Sequence, residues 1–192
     1  MNNLKEIFTG KKIIVIVLCL VAIVAVFSVL TATSSCDYTA KEFAKAFFED
    51  DLKTMDELMA YDYKSTIMNW YDGEEEFCEI MSESLNADIK NWNDFCKVTH
   101  DEMKISIEDE YGKYKIESVV IKSKDLSIED LENEVECDFY EEYGFDINSV
   151  KEVKYVSTST RINGEYDNEN DQLDLYMVKT GSKWKVIDWR VS

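Results

Sequence analysis

Gly181–Val191, GSKWKVIDWRV, is the stretch on which the reading of this 192-residue chain turns. Successive side chains of a strand point to opposite faces, so alternating apolar and polar residues mark a half-buried strand. Here Trp184 and Val186 share one phase, whereas Ile187, Trp189 and Val191 take the other. A change of phase inside one strand predicts a β-bulge or a strong bend. Thr180-Gly181-Ser182 turns the chain into this strand, and before the turn Leu173, Leu175 and Met177 alternate as well. A polar loop over Asn163–Gln172 separates them from an earlier strand, Val150–Ile162. The C-terminal part thus reads as a bent antiparallel sheet.

Upstream, Ser127-Ile128-Glu129-Asp130 caps a helix whose inner face is Ile128, Leu131, Val135 and Phe139, with Gly144 placed to end it. Two more strands are predicted before it. Met103, Ile105 and Ile107 alternate with polar residues; Asp109–Gly112 turns the chain; Tyr114, Ile116, Ser118 and Val120 resume the alternation. The part before Met103 repeats at three and four residues and is read as helical. Thr39-Ala40-Lys41-Glu42 is a capping box, followed by Ala44, Phe48, Leu52, Met55 and Met59, with a second cap at Thr54. Asp72-Gly73 breaks the pattern, and Glu74-Glu75-Glu76 suits the positive end of a new helix carrying Phe77, Ile80, Met81 and Leu85. Ile89, Trp92, Phe95 and Cys96 continue the helical period.

Helices leading into a bent antiparallel sheet, closed by Gly181-x-Lys183-Trp184-Lys185-Val186-x-x-Trp189, resemble the nuclear-transport-factor-two-like, cystatin-related cone domains. The resemblance covers roughly Thr39 to Val191 and implies an α+β, cone-like domain. Many such domains are tethered to bacterial membranes without an assigned activity. Two strands before the last helix and three after it depart from that family's commonest order.

At the other end, Ile13–Leu30 (IIVIVLCLVAIVAVFSVL) is uncharged, and fourteen of its eighteen residues are Leu, Ile, Val or Phe. At about 1.5 Å per residue it spans roughly 27 Å, close to a bilayer's hydrocarbon core. Lys5, Lys11 and Lys12 precede it, whereas Asp37, Glu42, Glu49, Asp50 and Asp51 follow. By the positive-inside rule, residues 1–12 are a cytoplasmic tail, 13–32 a transmembrane anchor, 33–38 a linker and 39–192 an extracytoplasmic domain. Three fates fit the segment: an uncleaved anchor, a lipoprotein signal with Cys36 as the lipidated residue, or a cleaved signal peptide. Each places the domain outside the cell membrane.

The chain has 40 acidic and 21 basic residues, a net charge of −19. Such a surface repels phosphate backbones and argues against nucleic-acid binding, leaving cations and basic peptides as the charged partners it attracts. Outside the cell, Cys78 and Cys96 on neighbouring helical stretches are a candidate disulfide, with Cys36 and Cys137 also present. His100, the only histidine, reads as an exposed loop residue without a nucleophile motif beside it. Asp167–Asp171 alternates oxygen ligands as calcium loops do, but Gln172 stands where the loop glycine belongs and Val178 where the bidentate glutamate belongs. No catalytic residue, metal site or cofactor follows from these patterns. Trp70, Tyr71, Trp92, Trp184 and Trp189 either pack the core or line a cavity between helices and sheet. The expected role is non-catalytic: binding a small ligand or a protein partner. The alternative is a structural subunit that forms a homodimer through its open sheet.

Overall fold

The computed structural model describes residues 35–135, 145–166 and 172–192. The apolar run 13–32, Cys137, Phe139, Gly144 and the calcium-like loop 167–171 lie outside the described residues. Among those described, no helix is long and apolar enough to cross a membrane.

Cys36–Ser192 form one compact α+β unit. Five helices come first: α1 (Cys36–Phe48), α2 (Leu52–Leu58), α3 (Tyr63–Met68), α4 (Glu74–Leu85) and α5 (Trp92–Tyr111). Strand β1 (Ile116–Leu126), helix α6 (Ile128–Glu134) and a short 3-10 turn (Ile147–Ser149) follow. The chain closes with β2 (Val150–Ile162), the two-residue β3 (Glu165–Tyr166), β4 (Gln172–Thr180) and β5 (Lys183–Val191). The sheet is antiparallel, in the order β1-β2-β4-β5, with β3 paired to β2.

Local chemistry explains most boundaries. Ser127 Oγ accepts from the Asp130 backbone N–H at 3.0 Å, and Asp130 accepts from the Ser127 N–H at 3.1 Å, closing the expected capping box of α6. Helix α6 ends at Glu134, and Ile128 is exposed, so its inner face is Leu131 and Val135. Glu74, Glu75 and Glu76 fill the first turn of α4, as their charge against the helix dipole predicts. Two expected caps fall elsewhere. Helix α1 begins at Cys36, which leaves Thr39 buried inside it, and α2 is capped by Asp51, whose carboxylate accepts from the Thr54 N–H and hydroxyl.

The larger correction concerns Met103–Ile107. This segment is the C-terminal half of the 20-residue α5, not a strand. Met103 and Ile107 are four apart and share a helix face, packing against Ile116, Ile162 and Phe48, while Ile105 is 58% exposed. Alternation over five residues satisfies both periods, and the packed pair decides it. One strand therefore precedes α6.

The sheet is covered on both faces. On the first, α1 lays Ala40, Phe43, Ala44 and Phe47 over Val156, Leu175 and Met177. Burying a side chain such as Phe43 contributes about 1.5–3 kcal/mol. On the second, Leu131 of α6 and Val135, which caps its end, pack on Val153, Val178 and Ile187. The bulge expected in the last strand is present: Tyr176 pairs with Asp188 but Met177 with Val186, leaving Ile187 as the inserted residue. Val186 and Ile187 are both fully buried, one in each face's core. A separate small core, Phe77, Ile89, Trp92 and Cys96, joins α4 to α5.

Candidate functional site

Strand β1 carries a second bulge, which builds the site. Val120 pairs with Thr158, but Lys122 pairs with Ser157, so Ile121 is the inserted residue. Without it Lys122 and Lys124 would follow Val120 onto the α1 face; with it they cross to the second face. The Ile187 bulge acts alike, sending Asp188 and Arg190 to the second face and Trp189 to the first. Paired residues across the strands share a face, and two rows result. One is Lys122–Ser157–Asp174–Arg190, and the next is Lys124–Tyr155–Tyr176–Asp188.

These rows and one side of α6 enclose an open basin of about 280 Å³. Lys122, Lys124 and Leu126 come from β1, Tyr155 and Tyr176 from β2 and β4, and Asp130, Asn133 and Glu134 from α6. The tyrosine rings meet edge to face at 5.9 Å. Each also carries a cation: Lys122 lies 5.5 Å from the Tyr155 centroid, and Arg190 lies 5.3 Å from that of Tyr176.

Two carboxylates of the basin wall, Asp130 and Glu134, are engaged within the fold. Asp130 holds the Ser127 cap. Glu134 accepts from the Tyr176 hydroxyl at 3.2 Å and pairs with Arg190 at 3.6 Å, and Arg190 also donates to the Glu134 carbonyl. Asp174 lies beside the Tyr155 phenol, and its Oδ1 is buried without a hydrogen-bond partner. Burial, and for Tyr155 the neighbouring Asp174 carboxylate, pushes both phenols above their ordinary range. Both rings are therefore protonated at neutral pH, donors and not bases. In this arrangement the phenols serve as hydrogen-bond donors and as aromatic wall.

A wider dip of about 490 Å³ lies between α4 and the segment 89–90 before α5, beside Glu74, Cys78, Ser82 and Lys90. Two of its polar groups serve the fold. Glu74 accepts from the Trp92 N–H at 2.9 Å and from Lys64 at 3.0 Å, and Ser82 exchanges hydrogen bonds with the Ile89 backbone.

None of the residues singled out from sequence lines the basin. Cys36 is buried at the start of α1, and desolvation pushes its thiol up to about 12. Lipidation there would require the side chain to leave the core. Cys78 and Cys96 share the α4–α5 core, both as free thiols, with burial raising each, Cys96 to about 12. His100 sits in α5, half-buried, not in an exposed loop. Its Nδ1–H donates to the Glu49 carbonyl at 2.8 Å, because a carbonyl can only accept; the ring ties α5 to the α1–α2 turn. Among the aromatics, Trp70 is 71% exposed, Trp189 packs on Phe43 and Tyr63, and Trp92 stacks with Phe77 and Phe95. None of the tryptophans lines the basin. Among the described residues, no group of three or more His, Cys, Asp or Glu side chains could hold a metal ion.

Lys122, Tyr155 and Tyr176 were not legible as a site. Nothing local marks it, because β2 is buried without alternation from Val156 to Thr160. Comparison with protein families, curated proteins and solved structures finds no match for this chain.

Proposed function

We propose that the chain is a membrane-tethered, extracytoplasmic binding domain without catalytic chemistry, and that its basin takes a small ligand. The tether rests on the uncharged run Ile13–Leu30 and its charge-asymmetric flanks. The binding role rests on one observation: two tyrosine rings packed edge to face, the Tyr176 hydroxyl held by Glu134, line an open, pre-formed basin together with two lysines. Rigid aromatic and polar walls of this kind favour binding because little ordering is needed when a ligand enters.

Native mass spectrometry of the full chain, released from mild detergent, tests this. An excess mass that is lost on denaturation and reduced in Tyr155→Ala supports the reading. Retention of the same mass by Tyr155→Ala, or a chain that never carries one from its native membrane, counts against it. The competing role, a subunit dimerising through the sheet, has less support. The β5 edge is partly covered, with the Ala60 N–H bonded to the Val186 carbonyl at 2.7 Å. The β1 edge is bulged and lysine-bearing, a pattern that discourages edge pairing. A doubled mass in the same spectrum would reverse that preference.

A further inference from the structure

We propose that a second surface, the open dip beside α4, docks a basic segment of a partner protein. An arginine or lysine head sits between Glu75 and Glu79, and its stem lies over Cys78 and Ile89. This goes beyond the basin's role and does not depend on it.

The charge balance at the dip is one-sided. Residues 72–94 hold eight carboxylates and one lysine. That lysine, Lys90, pairs with Asp88 at 2.8 Å, and Lys64 from α3 is taken by Glu74 at 3.0 Å. Glu75 and Glu79 line the dip, are exposed, and have neither ion pair nor side-chain hydrogen bond among the described residues. They stand one helical turn apart, about 6 Å along the axis, and Glu83 continues the row. The helix dipole offsets part of the Glu75 charge in the first turn but has faded at Glu79. Like charges four residues apart weaken a helix, and a cation held between them relieves that cost. The uncommitted charge at this surface is therefore negative.

The floor of the dip carries an independent sign. Cys78 is only 7% exposed and lines the dip, yet its thiol makes no hydrogen bond among the described residues. Ile89, also buried, completes an apolar floor under the carboxylates. On the same helix Ile80 is exposed, and Trp70, in the turn before the N-cap Gly73, is the most exposed large apolar side chain described. Arginine and lysine lay an aliphatic stem on such apolar surface while the charged head stays in water beside carboxylates. An exposed tryptophan is a further anchor for a basic partner, because its ring attracts a guanidinium. A bare metal ion would use none of this apolar surface, and among the described residues no group of ligands could hold one.

Fluorescence anisotropy with the full chain in phosphatidylcholine nanodiscs, at physiological ionic strength, tests the assignment. The probes are a fluorescein-labelled nonapeptide of alternating arginine and leucine and the same peptide with neutral citrulline for arginine. The arginine peptide is expected to bind about tenfold more tightly, and Glu75→Gln/Glu79→Gln to erase that preference. Glu108→Gln/Glu110→Gln removes the same charge at the other end of the 20-residue α5 and should change binding less than about twofold. Glu75 and Glu79 are exposed, so the double variant keeps its fold, checked by an unchanged circular dichroism spectrum. Glu79→Gln alone, outside the first turn, repeats the test where the double variant loosens α4. Equal losses in the two double variants would show general attraction to a chain of net charge −19 and overturn the proposal. So would equal binding of the two peptides, no binding of either, or competition by spermine as effective as that by unlabelled arginine peptide. None of these outcomes involves Tyr155, so the basin is judged separately by its own mass spectrum.

Discussion

His100 shows how a residue that looks catalytic by type can be structural by position. Its Nδ1–H bond to the Glu49 carbonyl closes the end of α1, just before Asp50, which takes a left-handed φ of 51°. A half-buried bond of this kind is worth about 0.5–1.5 kcal/mol. His100→Ala should therefore lower stability in chemical denaturation by about 1 kcal/mol without altering ligand affinity; an unchanged midpoint would remove the clamp from the account. The thiols make a second prediction. Cys36 and Cys96 titrate near 12 in the fold, whereas an unfolded cysteine titrates at about 8.5. Below 8.5 both states hold the proton and the term is fully present. Between about 8.5 and 12 only the unfolded chain releases it, so stability falls as pH rises. Thermal melts at pH 7 and pH 10 should show the loss, and Cys96→Ala should shrink it. At pH 8 the native thiols should resist iodoacetamide and react only on unfolding. Rapid labelling of Cys36 in the folded chain would show that it does not sit in the core.

At the scale of elements, α5 and the two bulged strands carry the argument. If Met103–Ile107 is helical, Ile105→Glu changes an exposed position and should cost less than about 0.5 kcal/mol. Ile107→Asp buries an unpaired carboxylate among Ile116, Ile162 and Met103 and should cost about 3 kcal/mol or more. A strand with all three isoleucine-phase residues inward would instead suffer from both substitutions. The same pair of denaturation curves therefore tests the element's type. Bulges at Ile121 and Ile187 work by the period of two: one inserted residue exchanges the faces of everything beyond it. Together they collect lysine, tyrosine and arginine on one face while Trp189 turns to the other and packs on Phe43.

For the whole molecule, the net charge of −19 sets a general repulsion that the local ion pairs do not cancel. Most of those pairs are exposed and contribute about 0–1 kcal/mol each. Raising NaCl from about 10 to 200 mM shortens the screening length from roughly 30 Å to below 10 Å. Like-charge repulsion should then weaken more than the pairs do, so the melting temperature should rise by a few degrees. A fall would mean that the surface pairs dominate.

The sequence by itself determined the order of helices before sheet, the Val150–Ile162 strand, the Ser127–Asp130 cap and the bulge in the last strand. Each is written in residues that are neighbours along the chain: a cap spans four positions, and a phase change is visible within Trp184–Trp189. What only the tertiary structure decided involves residues far apart in sequence. Five residues at Met103–Ile107 fit helix and strand alike, and the partners Ile116 and Ile162 select the helix. Nothing near Lys122 announces the Ile121 bulge, because it is defined by the change from Thr158 to Ser157 as pairing partner. His100 finds Glu49 across 51 residues, and Tyr176 finds Glu134 across 42. Register and packing make those meetings, and so they alone place lysines and tyrosines around one basin.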